Sequence, residues 1–231
     1  FAAVLGHEFE VQVLSSMLKD EQEVPAYIQQ AERETIWSAL SDVRYIFKHI
    51  LLRDAVYDMQ LRARLRELHA LAAGTIEQVC AADIAPHYAD LAYHCDHAEQ
   101  AAEAVKWYIL AAKRSASLYA NAEAEAALTR ALELTHESDL EKRFVLHLER
   151  QKILNVLAQR DKEEKDVAAL LEVAQKLNEP AKLAKAFLCQ ALFCISTDDY
   201  PGCVAAAQSA LKYAQQAGEM ESELWAYLRW G

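Results

Sequence analysis

The feature that most constrains this chain is a spacing of small and large apolar residues that recurs from Leu91 onward. Steps of three and four residues place side chains on one face of an α-helix. The recurrence therefore predicts pairs of helices whose small residues allow close approach. The matching positions are Leu91, Ala92, Cys95, Ala104, Tyr108 and Ala111; Ala111, Ala112, Ser115, Ala124, Leu128 and Ala131; Leu154, Asn155, Ala158, Val167, Leu171 and Ala174; and Gln190, Ala191, Cys194, Tyr200, Cys203, Ala207 and Ala210.

This spacing resembles the tetratricopeptide repeat, although its intervals scatter around the ideal period of about 34 residues. Trp230-Gly231 would begin a further unit. One helix hairpin cannot bury its apolar face alone, so neighbouring hairpins stack. The resemblance implies a tetratricopeptide-like right-handed helical superhelix over residues 81–231. We expect a protein partner or an effector to bind in its groove.

Few residues in the chain interrupt helices. Only five glycines and four prolines occur in 231 residues, which favours a mainly α protein. No apolar run approaches the roughly 20 residues that span a bilayer, so we expect no membrane segment. Five cysteines without paired spacing indicate buried thiols in a reducing, cytoplasmic setting. We also expect the chain to be a fragment, since Phe1 and Gly231 both look like cut points.

The first 80 residues have a different pattern, which predicts a small winged-helix-like unit with connecting helices. Alternating apolar residues flank a turn at Ser41-Asp42 and predict a β-hairpin. The predicted elements are a helix-turn-helix start at Phe1–Leu18, a helix at Pro25–Glu34, strands at Thr35–Leu40 and Val43–Lys48, helical residues Ile50–Val79 with a break at Asp58–Gln60, and a linker at Ala81–Pro86 with Asp83 as helix N-cap.

No motif of an active site is present. The glycines do not form a phosphate-binding loop, and no GxSxG, HExxH or paired CxxC sequence occurs. The closest approach to a metal-binding pattern is His87, His94, Cys95, Asp96 and His97. Zinc needs three or four converging ligands, so we assign these residues to packing and turns and predict no metal, cofactor or catalytic residue. His49 and His69 are interpreted as core or interface histidines.

Charge is unevenly distributed along the chain. The formal net charge is -11, which argues against a broad nucleic-acid surface, because such binding neutralises phosphates. Residues 44–66, however, hold six basic residues against two acidic ones. This stretch is either a solvated helix face or a docking surface for an acidic partner or neighbouring domain. The candidate docking residues are Arg44, Lys48, His49, Arg53, Arg62, Arg64 and Arg66.

Five segments together resemble one family. They are Phe1–Phe9, Tyr45–Tyr57, Arg66–His69, Leu91–His94 and Ala101–Tyr108. They look like the region after the nucleotide-binding core in large multidomain signalling ATPases of the STAND class, some of which are fused to a nucleotide cyclase or a regulator domain. The resemblance covers residues 1–135 and implies an upstream ATPase core in cis. It also suggests packing against that core by Phe47, His49, Arg53 and Tyr57.

These observations predict a non-catalytic sensor and scaffold segment of a cytoplasmic signalling ATPase. Partner or effector binding to the repeats would move the winged-helix-like unit against the upstream core. The alternative is a tetratricopeptide interaction scaffold without a switching role. An enzyme or a DNA-binding regulator would need converging ionisable groups or a basic recognition helix, respectively.

Overall fold

The computed structural model describes residues 1–18 and 23–230, and these are mainly α-helical, as predicted. The predicted further repeat at Trp230-Gly231 extends past the described residues. Contacts divide the chain into two compact units, Phe1–Trp107 and Tyr108–Gly231. The division at residue 80, inferred from the linker composition, remains a prediction.

The first unit begins with a small structure that combines helices with a three-stranded sheet; its description as a winged helix remains a prediction. Strand β3 is central in a three-stranded antiparallel sheet of order β1-β3-β2. Its elements are α1 (Ala2–Leu5), β1 (Glu8–Glu10), α2 (Val11–Leu18), α3 (Val24–Arg33), β2 (Trp37–Ala39) and β3 (Arg44–Phe47).

The predicted hairpin is confirmed, whereas the helix-turn-helix start is wrong in one respect. Residues 8–10 form a strand, because Phe9 pairs with Tyr45 of β3 in the sheet register. An aromatic cluster then fixes the strand: the ring centroid of Phe9 lies 4.9 Å from that of Trp37 and 5.9 Å from that of Phe47. This tertiary pairing outweighs any local preference of a three-residue segment.

Helices follow the sheet. They are α4 (Ile50–Asp58), α5 (Arg62–Val79) and α6 (Tyr88–His97), and α7 (Ala101–Ser117) begins in the first unit and ends in the second. The predicted break at 58–60 is confirmed. The predicted linker instead forms two 3-10 turns, Ala81–Asp83 and Ala85–His87, and Asp83 caps no helix.

The second unit consists of consecutive helices that pack on their sequence neighbours. They are α8 (Asn121–Leu134), α9 (Leu140–Val156), α10 (Arg160–Leu177), α11 (Pro180–Ser196), α12 (Tyr200–Ala217) and α13 (Met220–Trp230). Helix α11 also contacts α9 and α13. In a stack of helix hairpins, a helix contacts both its sequence neighbour and the corresponding helix of the next hairpin, as α11 does with α9 and α13. This unit is therefore a set of tetratricopeptide-like helical repeats.

The small residues of the sequence pattern lie where helices meet. Completely buried positions of the pattern include the small residues Ala124, Ala174, Ala191 and Ala207. The larger Leu154, also part of the pattern, is completely buried too. Other positions in the same pattern differ, however. Tyr200 is 65% exposed at the start of α12, and Ala158 lies in a turn with φ 54°. The pattern therefore predicts the helix contacts but not the residues next to turns.

The cysteines are free thiols, and Cys95, Cys189, Cys194 and Cys203 are buried, as expected. Cys80 is partly exposed. Among the described residues, no helix is both long and apolar enough to cross a lipid bilayer.

Candidate functional site

Two of the predicted docking arginines hold parts of the first unit together. Arg53 donates from Nε to the carbonyl oxygen of Ala3 at 2.9 Å and lies 5.0 Å from the centroid of the Tyr57 ring. It thereby ties α4 to α1. Arg44 on β3 forms an ion pair with Glu8 of the adjacent strand at 3.3 Å.

The other docking candidates, Lys48, His49, Arg62, Arg64 and Arg66, are exposed. Lys48 and His49 lie between β3 and α4. On α5, residues 62 and 66 are one turn apart, whereas residue 64 points away from both. Arg64 pairs with Glu67 at 2.9 Å, and Arg66 pairs with Glu99 at 2.8 Å. The docking role of this set remains a prediction.

Two histidines of the first unit, His69 and His94, form a buried pair. The Nδ1 atoms of His69 and His94 are 2.9 Å apart, and the Tyr57 hydroxyl lies 2.8 Å from His69 Nε2. His69 is therefore a core histidine, as predicted, whereas His49 is exposed. Burial, together with the smaller effect of neighbouring imidazoles, lowers the pKa of His69 to about 4 and that of His94 to about 3.

A separate cluster lies beside an open cavity of about 560 Å³ in the first unit. Ligand atoms of Glu10, Cys80 and His87 lie within 4.8 Å of one another. Glu10 and His87 line the cavity, together with Asp90, whose carboxylate is 3.6 Å from His87 Nδ1. Burial raises the pKa of the Cys80 thiol, and the carboxylate of Glu10 raises it further.

The sequence pattern did not group these residues. It placed His87 with His94 and Cys95, but Nδ1 of His94 contacts His69, and Cys95 is buried. Glu10 joins Cys80 only because β1 exists, and that strand was not predicted.

In the second unit, a groove of about 540 Å³ is lined by α8, α9 and α10. Four of its lining side chains are basic and two are acidic, although the chain as a whole has a net charge of -11. The charged residues in its lining are Arg130, Arg150, Lys162, Lys165, Glu125 and Glu133.

Arg150 is held in place at this groove by a buried carboxylate. Its Nε donates to Asp166 Oδ1 at 3.1 Å, and its Nη1 donates to the Thr129 hydroxyl at 3.1 Å. The same carboxylate oxygen accepts a hydrogen bond from His147 Nδ1 at 2.7 Å. Asp166 is completely buried, whereas the Arg150 side chain stays 18% exposed. The arginine is thus both oriented and accessible.

The lysines at the groove have exposed side chains. Lys162 lies 3.4 Å from Glu125, which also accepts a hydrogen bond from Thr129 at 3.0 Å. Lys165 is exposed one turn further along α10. Because an oriented arginine and exposed lysines line the groove, with basic side chains outnumbering acidic ones four to two, the groove suits carboxylates presented by another molecule.

A second and smaller depression in this unit is mainly apolar. It has a volume of about 170 Å³ and is lined by α7, α8 and α9. Ile109, Leu128 and Ile153 supply its apolar surface, while Lys113 and Glu149 also contribute to its lining. This size is enough for a single apolar side chain rather than for a small-molecule ligand.

Together, the fold and these surfaces define a class: a mainly α-helical protein with tetratricopeptide-like repeats. No protein-family model matches the chain, and no curated protein matches it. The fold is similar to that of BtubC (BKLC) from P. vanneervenii, with a TM-score of 0.56 and 14% identity over 95% of this chain and 80% of that chain. At this identity, the similarity concerns the fold alone.

A second similar structure is a Signal Transduction ATPase with Numerous Domains (STAND) protein with a tetratricopeptide repeat sensor from Pyrococcus horikoshii. The TM-score is 0.49 and the identity 14%, over 99% of this chain and 46% of that chain. The chain therefore spans about half the length of that protein.

Proposed function

We propose that the second unit is a protein-binding module whose α8–α10 groove receives an acidic segment of a partner. The observation that carries this proposal is the excess of basic side chains at the groove in a chain of net charge -11. Complementary charge increases the association rate and selects against partners of like charge. A groove of about 540 Å³ is also within the usual size range of ligand sites.

The groove's geometry supports an acidic peptide over a diffuse electrostatic contact. Asp166 and Thr129 fix the guanidinium of Arg150, so little side-chain entropy is lost when a carboxylate binds it. Lys162 and Lys165 lie one turn apart on α10, at a distance that two carboxylates of an extended segment can span.

A peptide selection tests this function. The full chain would be immobilised and presented with a phage-displayed random peptide library, because the natural partner is unidentified. We expect the enriched peptides to contain clustered Asp and Glu residues and to lose binding as salt concentration rises. Enrichment of only basic or purely apolar peptides would contradict the proposal.

The role within a whole protein is a second step of the proposal. The resemblance to the region after a STAND nucleotide-binding core suggests that the first unit couples partner binding to such a core in a cytoplasmic signalling ATPase. Exposed Arg62, Arg64 and Arg66 are the residues through which we expect docking. Reversing these three charges in the full-length protein should alter nucleotide turnover or its regulation. Unchanged turnover and regulation would exclude docking through them.

The alternative is an interaction scaffold without a switching role. A scaffold would bind the same peptides as a segment coupled to an ATPase core, so peptide selection does not distinguish the two roles. A phosphate-binding loop encoded upstream of Phe1 would favour the coupled ATPase. If partner binding left the turnover of such a core unchanged, the scaffold alternative would be favoured.

A further inference from the structure

Three potential metal ligands converge from separate parts of the first unit. Glu10 is the last residue of β1, Cys80 follows α5, and His87 ends the 3-10 turn before α6. Their ligand atoms lie within 4.8 Å of one another, and all three residues are half-buried. Ligand atoms around one tetrahedral zinc ion are roughly 3.3–3.8 Å apart, given bonds of about 2.0–2.3 Å. Small side-chain rotations would bring the three atoms to that distance.

We infer that Glu10, Cys80 and His87 form a binding site for a divalent transition metal, with zinc as the preferred ion. The donor set identifies the metal class: a thiolate and an imidazole favour zinc over magnesium or calcium, which prefer oxygen ligands. Three protein ligands leave a fourth coordination position, and the cavity of about 560 Å³ lies beside it. The ion would displace the thiol proton on binding.

Asp90 supports this arrangement as a residue that positions His87. Its carboxylate Oδ2 is 3.6 Å from His87 Nδ1. A hydrogen bond from Nδ1 would leave Nε2 of the same ring free to ligate the ion. Carboxylates commonly orient metal-binding histidines in this way. A structural role of Asp90 alone would not change metal affinity, so the two roles can be separated.

The surrounding charges favour a cation. Glu10 and Asp90 both line the cavity, and the basic residue in its lining, Arg44, is paired with Glu8 at 3.3 Å. A divalent ion would neutralise the carboxylate and the thiolate that bind it. It would also join the end of β1 to the segment between α5 and α6. This site lies within the first unit and is independent of the proposed peptide groove.

Cobalt titration of the full 231-residue chain, reduced and freed of metal, tests the site. Co²⁺ reports both stoichiometry and thiolate ligation, because a thiolate–cobalt bond gives a charge-transfer absorption. We expect one Co²⁺ per chain with this absorption, and displacement of Co²⁺ by an equimolar amount of Zn²⁺. The isosteric variant Cys80→Ser should abolish the absorption, and Cys80→Ser and Glu10→Gln should each weaken zinc binding by about 100-fold or more.

Two further variants distinguish a built site from casual binding. Asp90→Asn should weaken zinc binding about 10- to 100-fold, which is the usual effect of losing an orienting carboxylate. His136→Ala is the matched control, because His136 is an exposed histidine of the second unit, and its zinc affinity should equal that of the unmodified chain. Circular dichroism would verify that each variant is folded. Absence of the cobalt absorption, or its persistence in folded Cys80→Ser, would overturn the assignment.

Discussion

The Nδ1 atoms of His69 and His94 lie 2.9 Å apart inside the first unit, where both rings are almost completely excluded from solvent. Two protonated rings would repel each other at this distance, and a neutral pair can share one hydrogen bond. The pKa of His69 is lowered to about 4 and that of His94 to about 3, first by burial and then by neighbouring histidines. The folded chain thus keeps both rings neutral at physiological pH.

This pair predicts a loss of stability in mild acid. Unfolded histidine has a pKa of about 6.5, so below that pH the unfolded chain binds protons that the folded chain does not. The pair's contribution is complete above pH 6.5 and decreases as the pH falls toward 4 for His69 and 3 for His94. The slope is about 1.4 kcal/mol per pH unit for each ring.

Urea unfolding at a series of pH values measures this slope. The variant His94→Gln should unfold with a shallower pH dependence, whereas His136→Ala, which alters an exposed histidine, should retain the original slope. An unmodified chain whose stability stays constant between about pH 6.5 and pH 4.5 would show that the pair is not buried as a neutral unit.

The buried carboxylate of Asp166 gives a second prediction. Asp166→Ala removes the acceptor shared by the buried His147 and the half-buried Arg150. We expect the free energy of unfolding to fall by about 3–5 kcal/mol, as it does when one partner of a buried ion pair is deleted. Glu164→Ala, at an exposed position on the same helix, should change it by less than about 0.5 kcal/mol. Equal effects of the two substitutions in chemical denaturation would refute the network's structural role.

Helix spacing in the repeats predicts a third effect. Ala207 is completely buried in a cluster with Ala191 and Cys194 from the facing helix, whereas Ala205 is exposed two residues earlier. Ala207→Leu should cost about 1–3 kcal/mol because it forces α11 and α12 apart. Ala205→Leu should be nearly neutral, within about 0.5 kcal/mol. Thermal or urea unfolding would compare the stabilities of the two variants. An unchanged free energy of unfolding in Ala207→Leu would mean that the helices do not meet at Ala207.

The aromatic cluster of the sheet yields a fourth prediction. The Phe9 ring is buried between Trp37 and Phe47, so Phe9→Ala should destabilise the first unit by about 3–5 kcal/mol. Tyr27→Ala changes an aromatic residue on the exposed side of α3 and serves as the comparison. A loss of stability in Phe9→Ala no larger than that in Tyr27→Ala would contradict the burial of Phe9 in the aromatic cluster.

The helices were predictable because their evidence is local. Apolar residues at three- and four-residue steps indicated the faces that α9 to α12 bury, and the alternation around Ser41-Asp42 indicated the β2–β3 hairpin. The strand at Glu8–Glu10 was not predictable in the same way, since three residues acquire a strand conformation only by pairing with β3. The local sequence pattern therefore identified the helices and the β2–β3 hairpin but not strand β1.

The candidate sites were even less predictable from local sequence pattern. Arg53 belongs to a basic stretch in sequence, yet in the fold it donates to the carbonyl oxygen of Ala3. Cys80 and Glu10 are far apart in sequence and come together only through tertiary structure. Likewise, Asp166 beneath Arg150 has no sequence motif that would distinguish it from the surface acids of α10. Residues that are adjacent only in space cannot be grouped by spacing alone.

The most direct measurement of the central claim is the affinity of a selected acidic peptide for two charge-matched double variants. Lys162→Glu with Lys165→Glu reverses the charge at the groove, while Lys176→Glu with Lys212→Glu makes the same net change at exposed sites that do not line it. The account predicts that the groove variant binds at least about tenfold more weakly, a loss of about 1.4 kcal/mol, and that the control binds nearly as the unmodified chain does. Equal weakening of both variants, or unchanged binding by the groove variant, would contradict a partner site between α8 and α10.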